Sequence, residues 1–298
     1  QVKGGITRNK KNNHSRYRFA HDRIRQAVYA SMPAEKKQHC HAKIGLYLMR
    51  HLPGAAKKDQ IFTIANHLNA GGDEVTSLLK TDELARMNLD AGMKAKTAAA
   101  FFPAFNYFQH GIRMLGSDCW KDSYNLTKKL YEMAAETAYL CGYYDEMDRL
   151  ASIVLECSNS LLDTINVYET IINSHIARYQ LENAINIAVE LLRKLNVRLP
   201  DKASKWKLFK GYMGAKSTIA WKEVENLVNM KEMTDPTRLA AMQVLARVGS
   251  ATYFANQDLL ALVTFKAVQL STKYGNAPES TIWYAAFGLI LCGVMDDI

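Results

Sequence analysis

MDRLASIVL (residues 147–155) and AINIAVELL (residues 184–192) carry one pattern, 37 positions apart. Met147, Leu150, Ala151, Val154 and Leu155 recur as Ala184, Ile187, Ala188, Leu191 and Leu192. Within each segment the apolar spacing is i, i+3, i+4, i+7, i+8, which lays one apolar stripe along a helix. The preceding helix obeys the same shift, since LYEMA at 130–134 matches VYETI at 167–171. Between the helices of each pair lies a tight break, CGYYDE at 141–146 and RYQLEN at 178–183. Gly142 can take positive φ to end its helix, and Asp145 or Glu146 suits the start of the next. The unit is therefore helix–turn–helix, close in length to a tetratricopeptide repeat. A lone pair of this kind leaves an apolar face that only a neighbouring pair can cover, so stacking is the natural solution.

Other segments extend the array. Pro33 opens PAEKKQHCHAKIGLYLMRHL at a helix start, and TDELARMNLDAGMKAKTAAAFFPAFNYFQHGIRML reads as a further pair with Pro103 near the start of its second helix. Asp235-Pro236 is an N-cap and first-turn signature for a helix reaching about Phe254. NQDLLALVTFKAVQLSTKYG gives another helix that stops at Gly275. VRLPDKAS, residues 197–204, is the clearest internal break and a possible division into two sub-lobes. The fold expected is all-α: a tetratricopeptide-like superhelix, or α-solenoid, over residues 33–298.

Composition agrees. The chain has 298 residues with only 16 Gly and 6 Pro, too few punctuators for an all-β protein. Its formal charge of +9 is uneven: residues 1–60 hold 14 Lys/Arg against 3 Asp/Glu, and the remainder holds 24 against 26. A basic front end of this kind suits phosphate, nucleic acid or an acidic neighbour, or is a solvated tail. Cys40, Cys119, Cys141, Cys157 and Cys292 are odd in number and form no CxxC, which fits a reduced, cytoplasmic setting. TIWYAAFGLILCGVM, the longest apolar run, is short for a bilayer span, so no membrane partner is expected.

Candidate chemistry is sparse. His39 and His41 flank Cys40, but on a helix side chains two apart diverge, whereas zinc ligands on one helix want i and i+4; no metal site is expected. His67 in IANHLNAGG sits at a helix end, where the dipole favours a cation. The aromatic runs AFFPAFNYF and WYAAFGL have helical spacing and lack interleaved Arg or Lys, which makes them core and concave lining and not platforms for bases. No phosphate loop, nucleophile elbow, HExxH or dinucleotide fingerprint occurs, so no catalytic residue is assigned. In FAHDRIRQAVYASMP, Asp22 is a plausible cap for a helix at about 23–31, with Ile24, Ala27, Val28 and Ser31 on one face. His21, beside that amino end, can donate to an anion held by the free N–H groups.

YRFAHDRIRQAVYASMPAEKKQHCHAKIGLYLM resembles the end of the winged-helix module of STAND-type signalling ATPases, at its junction with helical repeats. An aromatic-x-His-Asp motif stands there in place of the "MHD" motif, whose histidine contacts the β-phosphate of ADP. The resemblance implies a winged-helix remnant over residues 1–32, with His21 and Asp22 as cofactor-binding residues that act only with an ATPase domain outside this chain. IANHLNAGG, ELARMNLDAGMKAKTAAAFFPAFNYFQHGIRML, LYEMAAETAYLCGYYDEMDRL and LSTKYGNAPESTIWYAAFGLIL are similar to the helical region of large multidomain kinases. Those proteins join a serine/threonine-kinase-like domain, an ATPase module, TPR-like repeats, GAF and sensor histidine kinase domains. The resemblance implies a non-enzymatic regulatory and protein-interaction segment, with ATP or ADP bound only in the parent ATPase domain. Its expected partners are neighbouring ATPase and kinase domains and an effector. Gln1 and Ile298 are then expected to be boundaries of a piece of a longer chain. Two other readings stay open: the helical effector domain of a STAND-type transcriptional regulator, and a basic nucleic-acid-binding module.

Overall fold

The computed structural model describes residues 2–3, 6–11, 14–19, 21–200, 204–219, 227 and 229–294; Gln1 and Ile298 lie outside them. The chain is predominantly helical. It begins with a small antiparallel sheet in the order β1 (Val2–Lys3), β2 (Ile6–Lys11), β3 (His14–Phe19), in which Ile6 pairs with Phe19 and Lys11 with His14. This sheet qualifies the all-α expectation; among the described residues after it, apart from an isolated bridge between Glu232 and Asn276, the chain is helix or connection.

Contacts divide the chain into two units, residues 1–130 and 131–298. In the first unit the sheet leads into α1 (Asp22–Ser31), α2 (Ala34–His51), α3 (Gly54–Asp59), α4 (Ile61–Ala70), α5 (Gly72–Thr76), α6 (Thr81–Thr97), α7 (Phe101–Met114) and α8 (Cys119–Asp122). α9 (Tyr124–Leu140) contains the point of division. The second unit continues with α10 (Tyr144–Cys157), a 3-10 turn at Leu161–Thr164, α11 (Ile165–Ala177), α12 (Leu181–Lys194), α13 (Lys205–Ile219), α14 (Pro236–Ala255), α15 (Gln257–Tyr274) and α16 (Ser280–Val294).

The repeat is a repeated joint. Gly142 takes φ +77° and Tyr179, 37 residues on, takes φ +57°. Around each the same pair of bonds closes the helix: Tyr143 N–H to Ala138 O at 2.8 Å with Gly142 N–H to Tyr139 O at 2.9 Å, and Gln180 N–H to His175 O at 2.8 Å with Tyr179 N–H to Ile176 O at 2.9 Å. This is the Schellman arrangement, which satisfies the last carbonyls of one helix and turns the chain into the next. It recurs at Ala99, φ +55°, between α6 and α7, where Ala100 N–H reaches Ala95 O at 3.0 Å. Glycine announced only the first of these three. Tyr179 adopts the left-handed conformation without that freedom, its side chain 76% exposed.

The stripes that define the repeat are the buried faces. Met147, Leu150, Ala151 and Val154 of α10 are buried, as are Ala184, Ala188, Leu191 and Leu192 of α12. The alanines let neighbouring helices approach. Cys157, the last residue of α10, is exposed. Ile165, Leu191, Leu195 and Leu199 share one core with Tyr212, Leu245, Phe265 and Trp283. Residues on both sides of 197–204 thus contribute to the same core, so the break expected there does not separate two cores; residues 201–203 lie outside the described ones.

Helix ends follow their sequence signals. The Asp235 carboxylate accepts from Thr237 N–H at 2.8 Å and Arg238 N–H at 3.2 Å, capping α14 with Pro236 as its first residue. Gly275, φ +112°, ends α15. In the first unit Ala42, Leu46, Ile64, Leu68 and Leu84 form one small core, and Ile61, Ala65 and Ala91 another. At Gly92 of α6 an added Cβ would lie 2.4 Å from the Phe108 ring, so glycine there sets how closely α6 and α7 pack.

Candidate functional site

His21 and Asp22 sit where the sheet meets the first helix, but their roles are exchanged. His21 is the N-cap residue, with extended backbone (φ −139°, ψ 143°), and its carbonyl accepts from Ile24 N–H at 3.1 Å and Arg25 N–H at 3.3 Å. Asp22 is not the cap. It is the first helical residue, and its carboxylate lies 3.5 Å from the Arg25 guanidinium, both side chains exposed. Once Asp22 takes helical φ and ψ its carboxylate points along the helix, where it still complements the helix dipole. No residue of α1 is buried, the face of Ile24, Ala27, Val28 and Ser31 included.

The histidines of α2 part ways as their two-residue spacing requires. His39 Nδ1 lies 2.8 Å from Glu74 Oε1, whereas His41 lies 2.8 Å from His67 Nδ1 and 2.9 Å from the Tyr29 hydroxyl. The dipole argument had made His67 a favoured cation at the end of α4. Burial, and then the neighbouring His41, instead push its pKa down and hold it toward the neutral form.

IANHLNAGG and AFFPAFNYFQH, far apart in sequence, converge on one cleft of about 420 Å³. α4 offers Asn66, Asn69 and Ala70, an i, i+3, i+4 face. α7 offers Phe102, Asn106, Tyr107 and His110 from the facing side. Buried Asn88 of α6 holds this wall from behind, exchanging a pair of amide hydrogen bonds with Asn69 at 2.7 and 2.9 Å. The Tyr107 hydroxyl donates to Asn66 Oδ1 at 2.8 Å, which leaves the Asn66 amide donors for other partners. Burial, then Arg113, lowers the pKa of His110, and burial raises that of Tyr107. The lining is a row of uncharged donors and acceptors between aromatic rings. That chemistry suits peptide backbone and side-chain amides. Sequence reasoning assigned AFFPAFNYF to core and concave lining, read IANHLNAGG for His67 at a helix end, and missed the asparagines, whose signal was the helical spacing of Asn66 and Asn69.

The second unit carries an apolar groove of about 550 Å³, lined by Phe209, Tyr212, Tyr253, Leu260, Phe265 and Ile290 among others. Among the described residues no group of three or more His, Cys, Asp or Glu could hold a metal ion, and no helix is long and apolar enough to cross a membrane.

Over 93% of its length the chain is 22% identical to hybrid signal transduction histidine kinase G of Dictyostelium discoideum. The similarity is to a signalling protein. The chain spans 9% of that protein's length. No family model and no solved structure matches the chain.

Proposed function

We propose that this chain is a non-catalytic, protein-binding helical segment of a larger signalling ATPase or sensor kinase. Its helix pairs stack as a TPR-like superhelix over residues 33–298, and residues 1–32 are the end of a winged-helix module. Binding of an effector or of a neighbouring domain shifts the equilibrium between inactive and active arrangements of the parent kinase. The asparagine-lined cleft between α4 and α7 carries the reading, because it presents neutral hydrogen-bonding groups and aromatic surface without a nucleophile–base pair. The repeated Schellman joints support a repeat architecture. The antiparallel strands running into α1, with His21 at the junction, support the winged-helix assignment. The similarity to a histidine kinase supports the signalling context. His21 and Asp22 would contact nucleotide only when an ATPase domain presents it, and the setting is cytoplasmic.

Isothermal titration of the chain against separately purified ATPase and kinase domains of its parent protein tests the reading. Asn66→Ala combined with Asn106→Ala should weaken binding about tenfold, the worth of one or two hydrogen bonds lost at an interface, with helicity unchanged. Absence of binding by the unsubstituted chain to any of those domains removes the reading. In a chain that includes the ATPase module, His21→Ala should lower ADP retention; unchanged retention would remove the switch role of His21.

A further inference from the structure

α13, α15 and the Arg198–Pro200 segment that follows α12 line a cleft of about 430 Å³. Among the described residues its lining carries four cations, Arg198, Lys207, Lys210 and Lys266, and no carboxylate. Its apolar lining comes from Leu199, Leu262 and Phe265, all three buried. Glycines on α13 keep the helices close: a Cβ at Gly211 would lie 2.9 Å from the Phe265 ring, and one at Gly214 would lie 2.6 Å from the Gln269 amide. The cleft runs on past Gly214 and Gln269 toward Thr218 and Lys273.

Lys266 is the informative residue. It is half-buried on α15, and burial, then Arg238, lowers its pKa against an opposing effect of Tyr274, with Lys273 lowering it further. A half-buried cation costs free energy that a multiply charged anion in the cleft would recover. The ammonium groups of Lys210 and Lys266 and the Arg198 guanidinium fork are donors suited to phosphate oxygens. The volume falls within the range of small-molecule sites, about 300–1,000 Å³.

We propose that this cleft binds a soluble, phosphate-bearing small molecule of nucleotide size, its phosphates among Lys266, Lys210 and Arg198 and its organic part against Leu199 and Phe265. The proposal lies beyond the protein-binding role of the α4–α7 cleft and does not depend on it. The signal was present in sequence: residues 197–219 hold six Lys/Arg against one Asp, diluted in the near-neutral balance of the rest of the chain.

The test titrates the full chain with ATP, AMP and inorganic pyrophosphate, read by calorimetry and by tryptophan fluorescence. Trp206, 70% exposed on α13 beside Lys207, is a built-in reporter. Saturable binding is expected, tighter for ATP than for AMP. Lys266→Met should weaken it at least about tenfold, by loss of a charge-assisted bond, and Lys36→Ala on α2 should leave it unchanged. The ligand-free Lys266→Met protein should be no less heat-stable than the parent, because a half-buried charge is removed. Binding equal in the parent and in Lys266→Met, or binding only to phosphoinositide-containing vesicles and to none of the soluble probes, overturns the proposal.

Discussion

Adding one methyl group at Gly142 or at Gly288 should change stability in opposite directions. Both positions face open space, with nothing within 4 Å of an added Cβ, so contacts contribute to neither outcome. Gly142 stands at φ +77° in the joint between α9 and α10, whereas Gly288 lies inside α16. An L-residue in the left-handed region costs about 1–2 kcal/mol. The lower entropy of the unfolded chain returns about 0.4–1 kcal/mol of that. Gly142→Ala should therefore destabilise by about 1 kcal/mol, a fall in Tm of roughly 3 °C for a unit of this size. Gly288→Ala removes the same chain entropy at a helical position, where alanine is favoured over glycine by up to about 1 kcal/mol, and should raise Tm by a similar amount. Urea and thermal denaturation followed by circular dichroism measure both. A neutral or stabilising Gly142→Ala would mean that the joint is not left-handed, and the repeated turn that defines the helix pairs would fall with it.

Gly249→Ala, on α14, should destabilise by about 1–3 kcal/mol through overpacking, because the new methyl would stand 2.6 Å from the buried Trp283 ring; a wild-type urea midpoint would contradict that packing. Asp235→Ala removes the carboxylate that caps α14 and should cost about 1 kcal/mol by the same assay. The first unit should lose stability on acidification. Burial and His41 lower the pKa of His67, and burial and Arg113 lower that of His110. The folded state therefore binds fewer protons than the unfolded chain, and this contribution is full above the ordinary histidine pKa. It is lost as pH falls from there through the lowered folded values. His110→Gln should flatten the decline of Tm between about pH 7 and pH 5, and an unchanged slope would exclude this histidine as a cause.

Helix periodicity, the Asp235-Pro236 start, the Gly275 stop and the offset of 37 between α10 and α12 were legible before any coordinates. They rest on local physics: side-chain direction every 3.6 residues, orphan N–H groups at a helix start, and glycine's tolerance of positive φ. The joints at Ala99 and Tyr179 were not legible as left-handed, because the strain there is imposed by packing of the paired helices on either side. Asp22 read as a cap because only the backbone angles decide whether it or His21 is the last extended residue. Neither cleft could be read along the chain as a place where helices meet, although the basic run of residues 197–219 was visible there. The asparagine row exists because α4 faces α7 with Asn88 behind it, and the cationic cleft because α15 brings Lys266 beside residues 198–210. Sequence alone determined that most of this chain would be helix, since amphipathic period and turn chemistry are properties of neighbours along the chain. Which polar and charged side chains meet across those helices was decided only by the tertiary structure, since close packing joins residues that the covalent order keeps apart.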